Sequence, residues 1–285
     1  MVENPETTDE APLNTDAEVS EAESAKEPRK GLSFPVFLLI VVVASLGFRS
    51  FAFSLYNIPS ESMLPGLMNG DYLAASKWNY GFSNHSLPFG TQSFKGRVFA
   101  TEPERGDVVI FKHPVDGTDY IKRVIGLPGD IVEMRGGRLI LNGEMVAQER
   151  VADWLVPVSA NTDCPSVVSI VRREDGASYC RYPRYRETLP SGKSYNVFDL
   201  GMSPQDFWGP KVVPEGAVFL MGDNRDNSQD SRFPPEKDGG VGWVPQSLLV
   251  GKAQMILWST DGSSQWIKPW TWFTAARGGR MGDAI

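Results

Sequence analysis

The sequence predicts a mainly β fold: an antiparallel β-sheet body with an inserted irregular β subdomain, preceded by one N-terminal transmembrane helix. Three observations carry this. Residues 34–48 form an apolar run, and counting on through Arg49 gives about 20 residues, near membrane-spanning length. Beyond residue 56, no stretch repeats an apolar face over three helical turns. That region instead holds short apolar runs rich in β-branched and aromatic residues. They are separated by Gly and Pro, which together supply 49 of the 285 residues.

Residues 1–32 read as a disordered acidic tail on the cytoplasmic side. The first 30 residues carry nine acids, three bases and no Phe, Tyr, Trp or Ile. Such a segment cannot bury enough apolar surface to offset its ordering entropy. Residues 33–55 read as the membrane helix. Between positions 36 and 46 only Ser45 is polar, unlike an amphipathic core helix, and a cleaved leader does not begin with an acidic tail. Arg49, close to one end, can snorkel to the interface. Lys26, Arg29 and Lys30 precede the span, which places the N-terminus in the cytoplasm and the body outside.

The body, residues 56–134 and 213–260, is expected to contain strands near 107–111, 119–125, 131–134, 138–141, 217–221 and 252–258. Asn142-Gly143 between two apolar runs is a two-residue hairpin signal. Residues 135–212 are more polar and weakly periodic, and read as the insertion. They contain Cys164 and Cys180, which would lie in an oxidising compartment. A bridge between them would close a loop of about 17 residues and contribute about 3 kcal/mol, the alternative being two free thiols. Residues 261–285 form a Trp-rich segment and tail. Trp258, Trp266, Trp270, Trp272 and Phe273, followed by Arg277 and Arg280, are either ordinary packing or a membrane-interface patch.

Composition excludes several function classes. Of the formal charge of −7, the first 30 residues carry −6 and the remainder only −1, so no basic surface for nucleic acid is expected. Two histidines and two cysteines disfavour a metal centre and leave few partners for a His-based nucleophile. Three segments remain as candidates for chemistry. Ser60 and Ser62 lie in Ile58-Pro-Ser-Glu-Ser-Met-Leu-Pro65, which is otherwise a turn. Lys122 interrupts an apolar strand whose alternation puts Tyr120, Lys122 and Val124 on one face. Gly222-Asp-Asn-Arg-Asp-Asn-Ser-Gln-Asp-Ser-Arg232 is a dense polar loop; as a calcium loop it lacks the central Gly and closing Glu of an EF-hand. A serine needs a base, and a lysine serves if burial drives its pKa down from about 10.4 toward 7–8.

These segments, with Arg105-Gly-Asp-Val-Val109 and Tyr120-Ile-Lys-Arg-Val-Ile-Gly-Leu-Pro-Gly-Asp130, resemble the motif boxes of bacterial type I signal peptidases. The resemblance covers residues 34–134 and 212–260. It implies a membrane-anchored serine endopeptidase that removes signal peptides from preproteins at the outer face of the bacterial inner membrane, with no metal or cofactor. By motif it implies Ser62 as nucleophile, Lys122 as general base, and the Ser60 hydroxyl with the Ser62 N–H as oxyanion hole. Ser228 would hydrogen-bond the lysine, Asp230 and Arg232 would brace the loop, and Ile58, Met63, Leu67, Tyr120 and Ile121 would line shallow substrate pockets. Partners would be signal-peptide-bearing preproteins and membrane lipid, not nucleic acid. The chain departs from the family pattern at 234–240, in the long connection 82–104 and at Glu61. Two alternatives stand beside this reading: a membrane-anchored β-rich binding module without catalysis, and a self-cleaving Ser-Lys protease of the repressor type.

Overall fold

A computed structural model describes residues 33–51, 53–83, 97–162, 164–165, 168–174, 176–265 and 267–285. The acidic tail, His85 and Trp266 lie outside the described residues. The chain divides into two units, Met1–Val41 and Val42–Ile285. Helix α1, Phe34–Phe51, has 18 residues and is about 27 Å long at about 1.5 Å per residue. Among the described residues no helix is long and apolar enough to cross a membrane. The expected span to residue 55 is cut short because Phe53–Asn57 is a strand. Its residues pair one for one with a neighbouring strand, from Phe53 with Ser76 to Asn57 with Tyr72. Apolar content marked this stretch as membrane-compatible, but a β partner fixed its conformation.

The strands in chain order are β1 Phe53–Asn57, β2 Asp71–Ser76, β3 Phe82–Ser83, β4 Arg97–Val98, β5 Val108–Lys112 and β6 Asp119–Gly126. There follow β7 Ile131–Arg135, β8 Arg138–Leu141, β9 Glu144–Met145, β10 Ala147–Pro157, β11 Ser169–Arg172 and β12 Ser178–Thr188. The last are β13 Ser194–Phe198, β14 Phe207–Val212, β15 Ala217–Met221, β16 Val244–Pro245 and β17 Leu249–Ser259, before a single-turn helix α2, Trp270–Thr274. A seven-stranded antiparallel sheet has the order β1-β2-β17-β5-β6-β15-β16. β5, β6 and β15 are buried on both faces, which is why they read as apolar runs rather than alternating ones. A four-stranded sheet, β14-β7-β8-β9, shares a core with the first: Ile125, Phe219 and Met221 pack with Val132, Leu139 and Leu141. The β8–β9 hairpin turns at Asn142 and Gly143, both with positive φ (55° and 84°), as the Asn-Gly signal requires.

The inserted segment is not irregular. β10, β12, β11 and β13 form a four-stranded antiparallel sheet with two 11-residue strands and one register shift, between Val151 and Trp154. Its solvated face carries Arg and Glu rather than small polar residues, and arginines lie over aromatic rings, Arg184 over Trp154 and Arg150 over Tyr185. Those long charged side chains masked the period-2 pattern. Cys180 on β12 is joined to Cys164, with Cα atoms 5.3 Å apart. Leu64 and Met68, from the loop after β1, pack into the same core as Cys180, Tyr182 and Phe198.

Candidate active site

Three segments distant in sequence converge on the seven-stranded sheet. The first is the loop between β1 and β2. Its ends are pinched by Ile58 N–H donating to the Asp71 carbonyl (2.8 Å) and Gly70 N–H donating to the Ile58 carbonyl (2.9 Å). The second is β6, held centrally between β5 and β15, where Lys122 pairs with Val109. The third is the loop 222–232 after β15. It grips the first from behind: Asn224 N–H donates to the Ser62 carbonyl and Asn224 Nδ2 to the Glu61 carbonyl, each at 3.1 Å. This close approach needs Gly222. A Cβ there would lie 2.2 Å from Ser228 Oγ and 2.5 Å from the Ser62 carbonyl oxygen.

The convergence sets Lys122 Nζ 2.7 Å from Ser62 Oγ and 3.1 Å from the Ile121 carbonyl. Lys122 is 4 % exposed and Ser62 8 %. Burial pulls the Lys122 ammonium down to about 8, against the opposing pull of the Asp230 and Asp223 charges. Ser60 Oγ lies 3.3 Å from Ser62 Oγ. An amine with a substantial neutral fraction near pH 8, hydrogen-bonded to a hydroxyl, can take up that hydroxyl's proton.

The surrounding charges are paired and mostly buried. Asp230 and Arg232 form an ion pair (Nε–Oδ1 2.9 Å), and Gly222 N–H donates to the Asp230 carboxylate at 3.1 Å. Burial alone would raise the Asp230 carboxyl; the Arg232 charge and its hydrogen bonds bring it below the usual value. Arg123, next to Lys122 on the other face of β6, makes a two-pronged pair with Asp223 at 2.7 and 2.6 Å. Arg225 pairs with Glu187 of β12, which also accepts from the Tyr195 hydroxyl at 3.0 Å. The motifs alone do not single out Arg123, Asp223, Asn224, Glu187 or Arg225. An arginine in a strand of buried apolar residues was the available signal, since such a charge must be matched by a buried carboxylate.

A cleft of about 510 Å³ opens beside the Ser62–Lys122 pair. Ile58, Tyr120 and Ile121 line it, joined by Tyr56 and Ile110. Met63 and Leu67 do not. Each is 1 % exposed and packs under the loop with Leu73 and Val108, because the turn after Ser62 directs them inward. The expected Ser228–Lys122 hydrogen bond is also absent: Ser228 is buried, and its hydroxyl has no hydrogen-bond partner among the described residues. It is confined against Gly222 instead. Among the described residues no group of three or more metal-ligating side chains occurs.

The family model described as "Signal peptidase, peptidase S26" matches residues 32–258. The chain is 36 % identical over 237 residues to signal peptidase I of Rickettsia typhi (strain ATCC VR-144 / Wilmington), covering 80 % of each protein. It is 35 % identical over 237 residues to signal peptidase I of Rickettsia prowazekii (strain Madrid E), again covering 80 % of each. With signal peptidase I of Rickettsia bellii (strain OSU 85-389) the identity is 38 % over 234 residues, covering 79 % of this chain and 72 % of that protein. These matches define the class first: the molecule is a peptidase, a hydrolase of peptide bonds. More narrowly, the chain belongs to the signal peptidase family, peptidase S26.

Proposed function

We propose that the protein is a membrane-anchored signal peptidase that cleaves N-terminal signal peptides from exported preproteins with a Ser62–Lys122 dyad. The 2.7 Å contact between a buried amine and a serine hydroxyl at the wall of an open cleft carries the reading. Ser62 Oγ attacks the scissile carbonyl carbon while its proton passes to Lys122 Nζ. The resulting oxyanion accepts hydrogen bonds from the Ser60 hydroxyl and the Ser62 N–H. The C–N bond then breaks, the Lys122 ammonium gives its proton to the leaving amine, and an acyl-enzyme remains. A water, deprotonated by the regenerated neutral amine, hydrolyses the ester by the same steps. Loop 222–232 acts through position, holding the Ser62 backbone by Asn224 and the Asp230–Arg232 pair behind it.

Membrane attachment is supported by α1, in which nine of the ten residues Phe34–Val43, all except Pro35, are exposed large apolar side chains. A helix apolar on every side belongs in lipid or a protein core. With the tail cytoplasmic, the body faces outward, where the preprotein emerges. Leu257, Trp258 and Trp272 line a second apolar cleft, and Trp270 and Phe273 are 64 % and 80 % exposed, consistent with a body resting on the bilayer surface. The test is cleavage of a model preprotein in detergent by wild type, Ser62→Ala and Lys122→Ala. Loss of product in both variants, with far-UV circular dichroism unchanged, is expected. Retained cleavage by Lys122→Ala would overturn the dyad.

A further inference from the structure

The 234–240 segment, one of the chain's departures from its family's pattern, forms part of the cleft wall. Asp238 lines the cleft together with Tyr120 and Asp119. It is fixed there rather than loose. Its N–H donates to Asp116 Oδ2 at 3.1 Å, and Asp116 is itself held by the Thr118 N–H at 2.9 Å. Two residues on, the Gly240 carbonyl meets Nε2 of the buried His113 at 3.2 Å. The loop is thus tied at two points to the turn between β5 and β6. Its own hydrogen bonds, Glu236 N–H to the Gly240 carbonyl and Gly239 N–H to the Glu236 carbonyl, hold Asp238 at a φ of 57°.

The other charges lining the cleft are accounted for. Asp119 is paired with Lys112 at 2.9 Å, and the Glu61 charge lies near Tyr182, where burial and then that charge push the hydroxyl well up. Lys122, the cleft's one lysine, is buried against Ser62. Asp238 is exposed and has no ion-pair partner among the described residues. Its charge reaches the cleft floor: burial, followed by the charges of Asp116 and Asp238, pushes the Tyr120 hydroxyl up. Tyr120 lies two residues before Lys122 on the same face of β6, about 7 Å along the strand.

The geometry points to Asp238 as a specificity-determining residue that favours a Lys or Arg side chain, and disfavours Asp or Glu, in the substrate two to three residues from the scissile bond. The inference rests on the endopeptidase reading above. An extended substrate lying along β6 with its reacting carbonyl at Ser62 advances about 3.3 Å per residue, so a side chain two or three positions away comes beside Tyr120 and Asp238. Unit charges about 4 Å apart in water change an equilibrium by about five-fold. Attraction of Lys and repulsion of Glu together give about a ten-fold ratio after screening.

The experiment uses the full chain in detergent and model preproteins carrying Lys, Gln or Glu at each position from four before the cut to four after. At one or two positions, kcat/KM is expected to fall in the order Lys, Gln, Glu, with a Lys-to-Glu ratio of about ten that shrinks in high salt. Asp238→Asn should bring that ratio to within about two-fold of unity. Asn tolerates the left-handed backbone at this position, so the loop keeps its path. Glu236→Gln removes the same charge from the same loop outside the cleft and should leave the ratio intact. A ratio that survives Asp238→Asn, one that falls equally in Glu236→Gln, or no charge preference at any position would overturn the assignment. Cleavage of the Gln substrates that persists in Ser62→Ala would instead overturn the endopeptidase reading, whatever the ratio.

Discussion

Replacing Lys122 by Met should make the folded protein inactive and, near neutral pH, more stable. Met has similar length and no charge. The Lys122 pKa falls from 10.5 to about 8 because burial penalises its charged form. That fall corresponds to about 3 kcal/mol against the folded state whenever the amine is protonated in both states. Met gives up the contacts to Ser62 Oγ and the Ile121 carbonyl, about 1–2 kcal/mol together. The net gain at pH 7 is therefore about 1–2 kcal/mol, or about 2–8 °C in Tm for a body of this size. The dependence on pH follows from the depressed folded-state pKa. Between about pH 8 and 10.5 the unfolded chain binds the proton that the folded chain has lost, so wild-type stability rises with pH across that window. Below pH 8 the full penalty is present. Thermal unfolding of both proteins from pH 7 to 10.5 should show the variant ahead at pH 7, with the gap closing and then reversing. A variant less stable at pH 7, or a gap that ignores pH, would show that burial of the ammonium does not set its pKa.

The same shift predicts that kcat/KM for preprotein cleavage rises about ten-fold per pH unit up to about pH 8 and then levels; an acidic limb near pH 4–5 in a pH–rate profile would point to a carboxylate base. Gly222→Ala forces a Cβ to within 2.2 Å of Ser228 Oγ and 2.5 Å of the Ser62 carbonyl, so it should cost about 2 kcal/mol in denaturant titration and at least 100-fold in kcat. Glu187→Ala leaves the buried Arg225 unpaired and should cost about 3–5 kcal/mol, whereas Glu187→Met with Arg225→Met should recover most of it, as a double-mutant cycle would reveal. A fragment beginning at Phe53 should co-sediment with anionic vesicles. Trp270→Ala with Trp272→Ala should weaken that binding with little change in Tm, since both rings are 40 % or more exposed; simple unfolding of the double variant would mean that the rings serve packing instead.

The strands legible in the sequence were those whose chemistry is decided locally. The Asn142-Gly143 turn, the Arg138–Leu141 strand and the Ala217–Met221 strand carry their own turn residues or continuous apolar runs, and the structure gives them those bounds. β10 and β12 were missed because arginines stacked on aromatic rings replace the alternation that marks a half-buried strand. β1 reads as the end of a helix because Phe53-Ser-Leu-Tyr56 is largely apolar, and only its pairing with β2 decides otherwise. At the site, the serine and lysine stood out as residue types that their surroundings do not explain. The inward turn of Met63 and Leu67 did not, because a proline-flanked loop has no period from which to read a face. Nor did the solitary Ser228 hydroxyl, whose surroundings are set by a glycine six residues earlier and a carbonyl on another loop.

The grip of Asn224 on the Ser62 carbonyl joins positions 162 residues apart, and the Ser62–Lys122 contact joins positions 60 apart. The two contacts together need β6 in place between β5 and β15 and the 222–232 loop closed, so the proposed reactive centre requires most of the fold. Contacts of such separation form slowly and together. Under the proposed dyad, a nascent or partly unfolded copy holds a serine with an ordinary hydroxyl and a lysine with an ordinary charge, and should not cut its neighbours. The long reach of these contacts acts as a safety catch: proteolytic competence and complete folding arrive in one event.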